Sequence, residues 1–193
     1  MSIITFDKND RVMIFVDLMN MKKSVTKDSS YTDLDYIALA RILKGPRKLV
    51  GAYVFDSKNI VDSEDRTKRF HDMLRYNGFR VIARDSYDSE AKIQKEVDVA
   101  MAVQMVVHAM RDNYDVAVVV SGDRDFIPAI QEIQAAGKRV EVAAFTTSSA
   151  KEMVRQSDKF IALDEFPLLM MSNPVERSET EVSRWISWNS RRR

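Results

Sequence analysis

Apolar positions along the chain come in short strand-sized runs, unbroken at Val12 to Val16 and Val116 to Val120, set between stretches of helical periodicity. Val12 to Val16, Leu49 to Phe55, Phe79 to Ala83, Val116 to Val120, Arg139 to Phe145 and Lys159 to Leu163 are strand-sized and end in turn residues or acids. Runs of this kind, rich in β-branched residues, read as strands buried on both faces, which belong to parallel sheets. Between them lie helical patterns. Asp33 to Lys44 carries Leu34, Ile37, Ala38, Ile42 and Leu43 on one face and stops at Gly45-Pro46. Ser63 to Tyr76, Ala91 to Met110, Phe126 to Ala136 and Ser148 to Gln156 read the same way, with Asn77-Gly78 and Gly137 as stops. The polar stretch Lys22 to Ser30 has no period and reads as a loop. Strand and helix in alternation predict an α/β fold: a mainly parallel sheet of five or six strands, right-handed crossovers and helices on both faces.

Composition narrows the class. A chain of 193 residues, 45% hydrophobic and 31% charged, buries one core and reads as one domain over residues 1–171. Residues 172–193 differ: Glu, Ser and Arg dominate, and Trp185, Ile186 and Trp188 are the large apolar residues of what reads as a polar tail with room for one short helix. Thirty basic against 29 acidic residues leave a formal charge of +1, so nucleic-acid binding has to come from local patches. There is no cysteine, which removes disulfides, thiolate metal sites and cysteine nucleophiles, and fits a reducing, cytoplasmic setting. No apolar run is long enough for a membrane span, and no secretory signal is expected. With five glycines there is neither a GxGxxG nor a GxxxxGK[ST] loop, which disfavours dinucleotide and nucleotide-triphosphate sites of those types.

The acids carry the chemistry. Asp17 ends the first strand, and Asp123 and Asp125 follow the Val116 to Val120 strand in Ser-Gly-Asp-Arg-Asp. In an open parallel sheet the strand carboxyl ends share one edge, where ligands bind. Asp125 is placed to act as N-cap or first-turn acid of the next helix, with Pro128 in its first turn. Asp123 is harder to explain structurally, because two carboxylates two residues apart repel unless a cation or proton intervenes. Asp98 lies in Val-Asp-Val-Ala-Met-Ala-Val, apolar almost all round, so its carboxylate is expected on a mostly buried helix and needs Lys95 or a metal as partner. Asp17, Asp98, Asp123 and Asp125 at one edge would give the hard oxygen ligands that suit Mg2+ or Mn2+, and metal-assisted phosphodiester hydrolysis is the chemistry that follows. Ordinary capping and turn roles remain the bland reading of each acid taken singly. His71 and His108 read as core or surface residues, without a carboxylate or second histidine at ligand spacing, and Met101, Met105 and Met110 as core filler.

The strings VMIFVDLMN, KEVDVAMAV, VVVSGDRDFIPAI, GKRVEVAAF and SSAKEMVRQSDKFIAL, in that order over roughly residues 11–165, resemble the signature segments of the NYN domain, in its LabA-like branch, within the PIN-like nuclease superfamily. The resemblance implies a Rossmann-like three-layer α/β/α sandwich and metal-dependent ribonuclease activity, with RNA, single-stranded or structured, as partner. It would make Asp17, Asp98, Asp123 and Asp125 the catalytic and metal-holding acids, with Asn20 and Ser121 in support. The chain departs from the family pattern at Leu18 and Glu96, where Gly is frequent, and at Gln104, where a further Asp is common. A neutral amide there removes one negative charge and would weaken ion binding.

Candidate phosphate contacts are Lys22, Lys23 and Lys27 after Asp17, Arg124 between two acids, Lys95, and Arg84 with Tyr87 as a stacking ring. A solvated loop is the competing reading for the lysines. The tail's Trp185, Trp188 and Arg191 to Arg193 fit either RNA binding or docking on a second copy, so a homo-oligomer is left open. Two other functions compete with the nuclease: a binding or regulatory module of the same fold without turnover, and a metal phosphohydrolase acting on a small substrate. An aspartyl-phosphate enzyme is disfavoured, since Met19 stands where a second acid would be needed.

Overall fold

In a computed structural model, which describes residues 7–25, 33–59, 64–86, 90–166 and 169–171, six parallel strands form the centre of the molecule. They are β1 (Arg11–Asp17), β3 (Lys48–Asn59), β4 (Arg80–Ser86), β5 (Val116–Val120), β6 (Arg139–Ala144) and β7 (Lys159–Ala162), in spatial order β4-β3-β1-β5-β6-β7. The chain starts at the centre, builds outward through β3 and β4, then returns to the other side of β1. Its direction of winding therefore reverses between β1 and β5, where a crevice opens at the strand carboxyl ends.

Side-chain alternation divides β1 between two cores. Val12, Ile14 and Val16 face α1 (Leu18–Val25), α2 (Tyr36–Lys44) and α3 (Glu64–Tyr76); Met13 and Phe15 face α4 (Glu90–Met110), α5 (Ile127–Ala135) and α6 (Lys151–Gln156). Strand β5 is buried at every position. The sandwich and its strand count agree with the sequence reading. A small antiparallel pair, β2 (Asp33–Leu34) with β8 (Met170–Met171), was not expected. Two-residue strands carry no periodicity to read.

Three expectations need correction. Residues after Asp17 form helix α1, not a loop: Leu18, Met21 and Val25 bury one face at i, i+3 and i+7, and Lys22 and Lys23 ride on the other side. The helix is too short for its pattern to stand out beside the polar residues that follow. Helix α4 is not buried all round. Val97, Met101, Met105 and Ala109 form its core stripe, while Val99, Val103 and Met110 are 62%, 51% and 59% exposed, so Met110 is not core filler. Third, His71 does have a carboxylate: its Nε2 lies 2.7 Å from Oδ2 of Asp56, both side chains buried. Asp56 is 15 residues away in sequence, on β3, and only the β3 to α3 packing brings the two together. His108 is half-buried, between the Tyr53 hydroxyl at 2.7 Å and the Asn113 amide at 2.8 Å.

Lys27, Tyr87 and the tail, including Trp185, Trp188 and Arg191 to Arg193, lie outside the described residues. Among the described residues, no helix is long and apolar enough to cross a membrane.

Candidate active site

The crevice between β1 and β5 is built by hydrogen bonds that run from one strand end to the other. Val16 pairs with Val120, which sets Asp17 beside Ser121. The Ser121 hydroxyl donates to Asp17 Oδ2 at 3.0 Å, and the Asn20 backbone N–H donates to Asp17 Oδ1 at 3.0 Å. Asn20 in turn accepts from the Gly122 N–H through Oδ1 at 3.1 Å. The Asp123 N–H reaches the Ser121 oxygen at 3.2 Å, and Oδ1 of Asp123 accepts from the Asp125 N–H at 3.0 Å. Asn20 and Ser121 are thus the groups that orient Asp17 and the acidic loop. The cap of the 3-10 turn Arg124–Phe126 is Asp123, and Asp125 is the acid of its first turn, the second of the two roles open to it from sequence. Pro128 does fall in the first turn of α5. A 3-10 turn precedes α5, so helical winding begins at Arg124 and the residue before it, Asp123, takes the capping role.

Gly122 has a reason that the sequence does not display. A Cβ there would lie 2.6 Å from the Ser148 carbonyl oxygen and 2.9 Å from Cα of Ser149. The segment after β6 crosses directly over the acidic loop, and the Ala150 N–H donates to the Gly122 carbonyl at 3.1 Å.

The fourth acid comes from α4. Asp98 is half-buried, and its carboxyl is pushed up to about 7, first by burial and then by the negative charges of Asp17, Asp123 and Asp125, with Lys23 opposing. Asp17, buried to 3% exposure, is raised too: desolvation outweighs the hydrogen bonds from Asn20 and Ser121, and Asp123 adds to it. All four acids therefore share one electrostatic neighbourhood. Lys95, one of the two candidate partners of Asp98, is exposed, and among the described residues no hydrogen bond or ion pair joins the two.

The basic candidates divide. Lys23 is exposed on α1 and lowers the carboxyls of both Asp17 and Asp98. Lys22 sits with its Nζ 5.6 Å from the Phe70 ring centre and acts on Asp33, which places it on the α3 side of the edge. Arg124 is exposed between the acids, and Arg84 is exposed on β4. Gln104, six residues beyond Asp98, lies about 9 Å further along the α4 axis and about 120° round it. No hydrogen bond among the described residues ties it to the acids.

The donor set fits a hard divalent cation. It offers only carboxylate, amide and hydroxyl oxygens, with carboxylates that mutually raise their affinity for positive charge. Among the described residues, no three Asp, Glu or His side chains already close on a common point as metal ligands.

Comparisons with known proteins agree with the fold and the order of the motifs. The structure is similar to the crystal structure of a protein of unknown function from Vibrio parahaemolyticus, with a TM-score of 0.72 and 20% sequence identity, covering 87% of this chain and 100% of that one. At that identity the likeness speaks for the fold alone. No curated protein matches the chain. The NYN domain family model matches residues 11–164, from the first residue of β1 into the turn after β7, and the chain belongs to the NYN domain family of PIN-like nucleases.

Proposed function

We propose that the protein is a divalent-metal-dependent ribonuclease whose site is the β1/β5 crevice. The observation that carries the reading is the continuous hydrogen-bonded frame from Asn20 through Asp17, Ser121 and Asp123 to Asp125, with Asp98 facing it from α4. A set of four acids at the switch point of a parallel sheet is a poor binding site for a phosphodiester unless a cation lies between them. PIN-like nucleases generally use divalent metals, and either Mg2+ or Mn2+ suits these oxygens.

Asp17, Asp98 and Asp123 would hold the ion, with Asp125 beside them or in contact through water. When bound, the ion neutralises charge on the phosphate and activates the attacking water. The chain itself contributes three things. Ser121 and the Asn20 N–H fix the Asp17 carboxylate so that its free lone pairs face the crevice. The Asn20 side chain, through the Gly122 N–H, holds the two strand ends at constant separation. Lys23 and Arg124 supply positive charge at the rim, where the flanking phosphates of an RNA strand would lie. Membership of the LabA-like branch and a cytoplasmic location belong to the same proposal.

The test is cleavage of a labelled single-stranded RNA by highly purified protein with Mn2+, with Mg2+ and with chelator, beside Asp17→Asn and Asp123→Asn. Cutting that needs metal and that both substitutions abolish supports the reading. Equal cutting by all three proteins would mark the activity as a contaminant and sink it. RNA retained without any cutting would favour a binding module.

A further inference from the structure

Helix α4 has two apolar faces, and the core of the molecule uses one of them. Opposite the buried stripe that runs through Val97 and Met101, about 150° round the helix, lie Val99, Val103, Val106 and Met110. Val99, Val103 and Met110 are exposed and Val106 is half-buried. Their spacing of i, i+4, i+7 and i+11 is that of a seam between two helices, and it runs about 16 Å along the axis. Valine is a weaker helix former than the straight-chain residues that usually cover a solvated face, so what an outward valine stripe gains is burial against a partner.

Charge and geometry select the occupant. Glu96 stands before the stripe and Arg111 just past it, on the same flank of the helix, both exposed and neither in an ion pair among the described residues. When two such helices meet antiparallel about a two-fold axis between residues 104 and 105, Val99 of one copy packs on Met110 of the other and Val103 on Val106. Each Glu96 then comes within about 3 Å, along the axis, of the other copy's Arg111. The surface complements itself in shape and in charge. The chain's own tail is less well placed to cover it: Leu169 lies in the core on the α2 side and Met170–Met171 pair with β2, so residues 172–193 start from the opposite face of the sheet. We propose that the outer face of α4 seats a second copy of this chain, α4 packed antiparallel on α4 in a two-fold dimer. A seam of three turns lies at the low end of specific interfaces, below about 1,200 Å2 in total, so the dimer is reversible and depends on concentration. The inference stands apart from the nuclease reading.

The experiment is sedimentation velocity of the full chain over a micromolar concentration series. Wild type should pass from monomer to dimer across it. Val103→Glu, which puts a charge at the centre of the seam, should raise the dimer dissociation constant by more than about tenfold, with the melting temperature at low concentration unchanged because the residue is exposed in the monomer. Glu96→Arg and Arg111→Glu should each weaken the dimer, and the two together should restore it, a signature that a merely destabilised fold would not give. The chain has no cysteine, so Val103→Cys offers a single thiol: a short bis-maleimide should join two copies through it and should not join them through Tyr76→Cys on α3. Wild type that stays monomeric at the highest concentration overturns the proposal. So does a dimer that survives Val103→Glu, and a dimer that dissolves in Trp185→Ala with Trp188→Ala but not in Val103→Glu is held by the tail instead.

Discussion

Asp98 shows how one carboxyl reports the state of the whole crevice. Its folded pKa of about 7 stands well above the ordinary carboxylate value of 3.8, because burial and three negative neighbours disfavour its charge. A raised acid binds protons better in the folded state than in the unfolded one. Its contribution to stability is therefore full below about pH 4 and is lost as pH rises toward 7. Without metal, Asp98→Asn should leave the melting temperature unchanged near pH 4 and raise it at pH 8. Half-exposure screens the effect, so the gain should be no more than roughly 1 kcal/mol, or about 2–4 °C. Adding Mn2+ at pH 8 should reverse the order, stabilising wild type more than the variant. A melting temperature for Asp98→Asn that equals wild type at pH 8 in chelator would refute the electrostatic picture of the site. Gly122 makes a steric prediction of the same size. In Gly122→Ala the new Cβ meets the Ser148 carbonyl at 2.6 Å, and backbone cannot step aside as a side-chain tip can. A loss of about 1–3 kcal/mol is expected, together with a displaced acidic loop. Thermal unfolding and metal-dependent cleavage measured side by side should both fall.

At the scale of elements, the β5 to α5 junction separates structural from chemical need. Asp123 caps the 3-10 turn through Oδ1, a role that asparagine fills as well as aspartate and alanine does not. Near pH 4, where Asp98 is protonated and its repulsion with Asp123 is absent, Asp123→Asn should therefore melt like wild type and Asp123→Ala should lose about 0.5–2 kcal/mol, while both lose cleavage at neutral pH. Equal melting of the two variants would mean that the cap carries no weight. The same junction shows why parts of the molecule were legible in sequence. The Val116 to Val120 run could only be a doubly buried strand, its end had to face the carboxyl edge, and Asp17 followed by the same logic. What stayed hidden depends on contacts between distant segments. The His71 partner, Asp56, is set by how α3 packs on β3; the need for Gly122 is set by a turn 26 residues further on; and the exposure of Val99 and Val103 is set by how few elements cover α4. Periodicity describes an element's own faces and says nothing about which neighbour meets them. Helix α1 was missed for a different reason: eight residues with two lysines give too short a pattern against the polar stretch behind them.

Across the whole molecule, the two edges of one sheet treat aspartate in opposite ways. At the amino edge Asp10, Asp112 and Asp115 each have a cation. Arg11 holds Asp115 at 2.7 Å and Asp112 at 3.1 Å, Lys138 also reaches Asp112, and Arg139 reaches Asp10. These bonds draw Asp115 down to about 2, chiefly through its hydrogen bond with Arg11, and lower Asp112 through Lys138 and Arg11. At the carboxyl edge the acids are left facing each other, and Asp17 and Asp98 are raised. Between the two edges the central strands are apolar from Val12 to Val16 and from Val116 to Val120, so neither set of charges can relax into the other. A carboxylate titration followed by NMR should resolve two populations, Asp112 and Asp115 below the ordinary range and Asp17 and Asp98 above it. Divalent cation should then move only the second population, drawing Asp98 down by mass action as the charged form is bound. If the amino-edge acids shifted by as much, the ion would be binding diffusely over the surface, and the crevice would lose its claim to be a selective cation site.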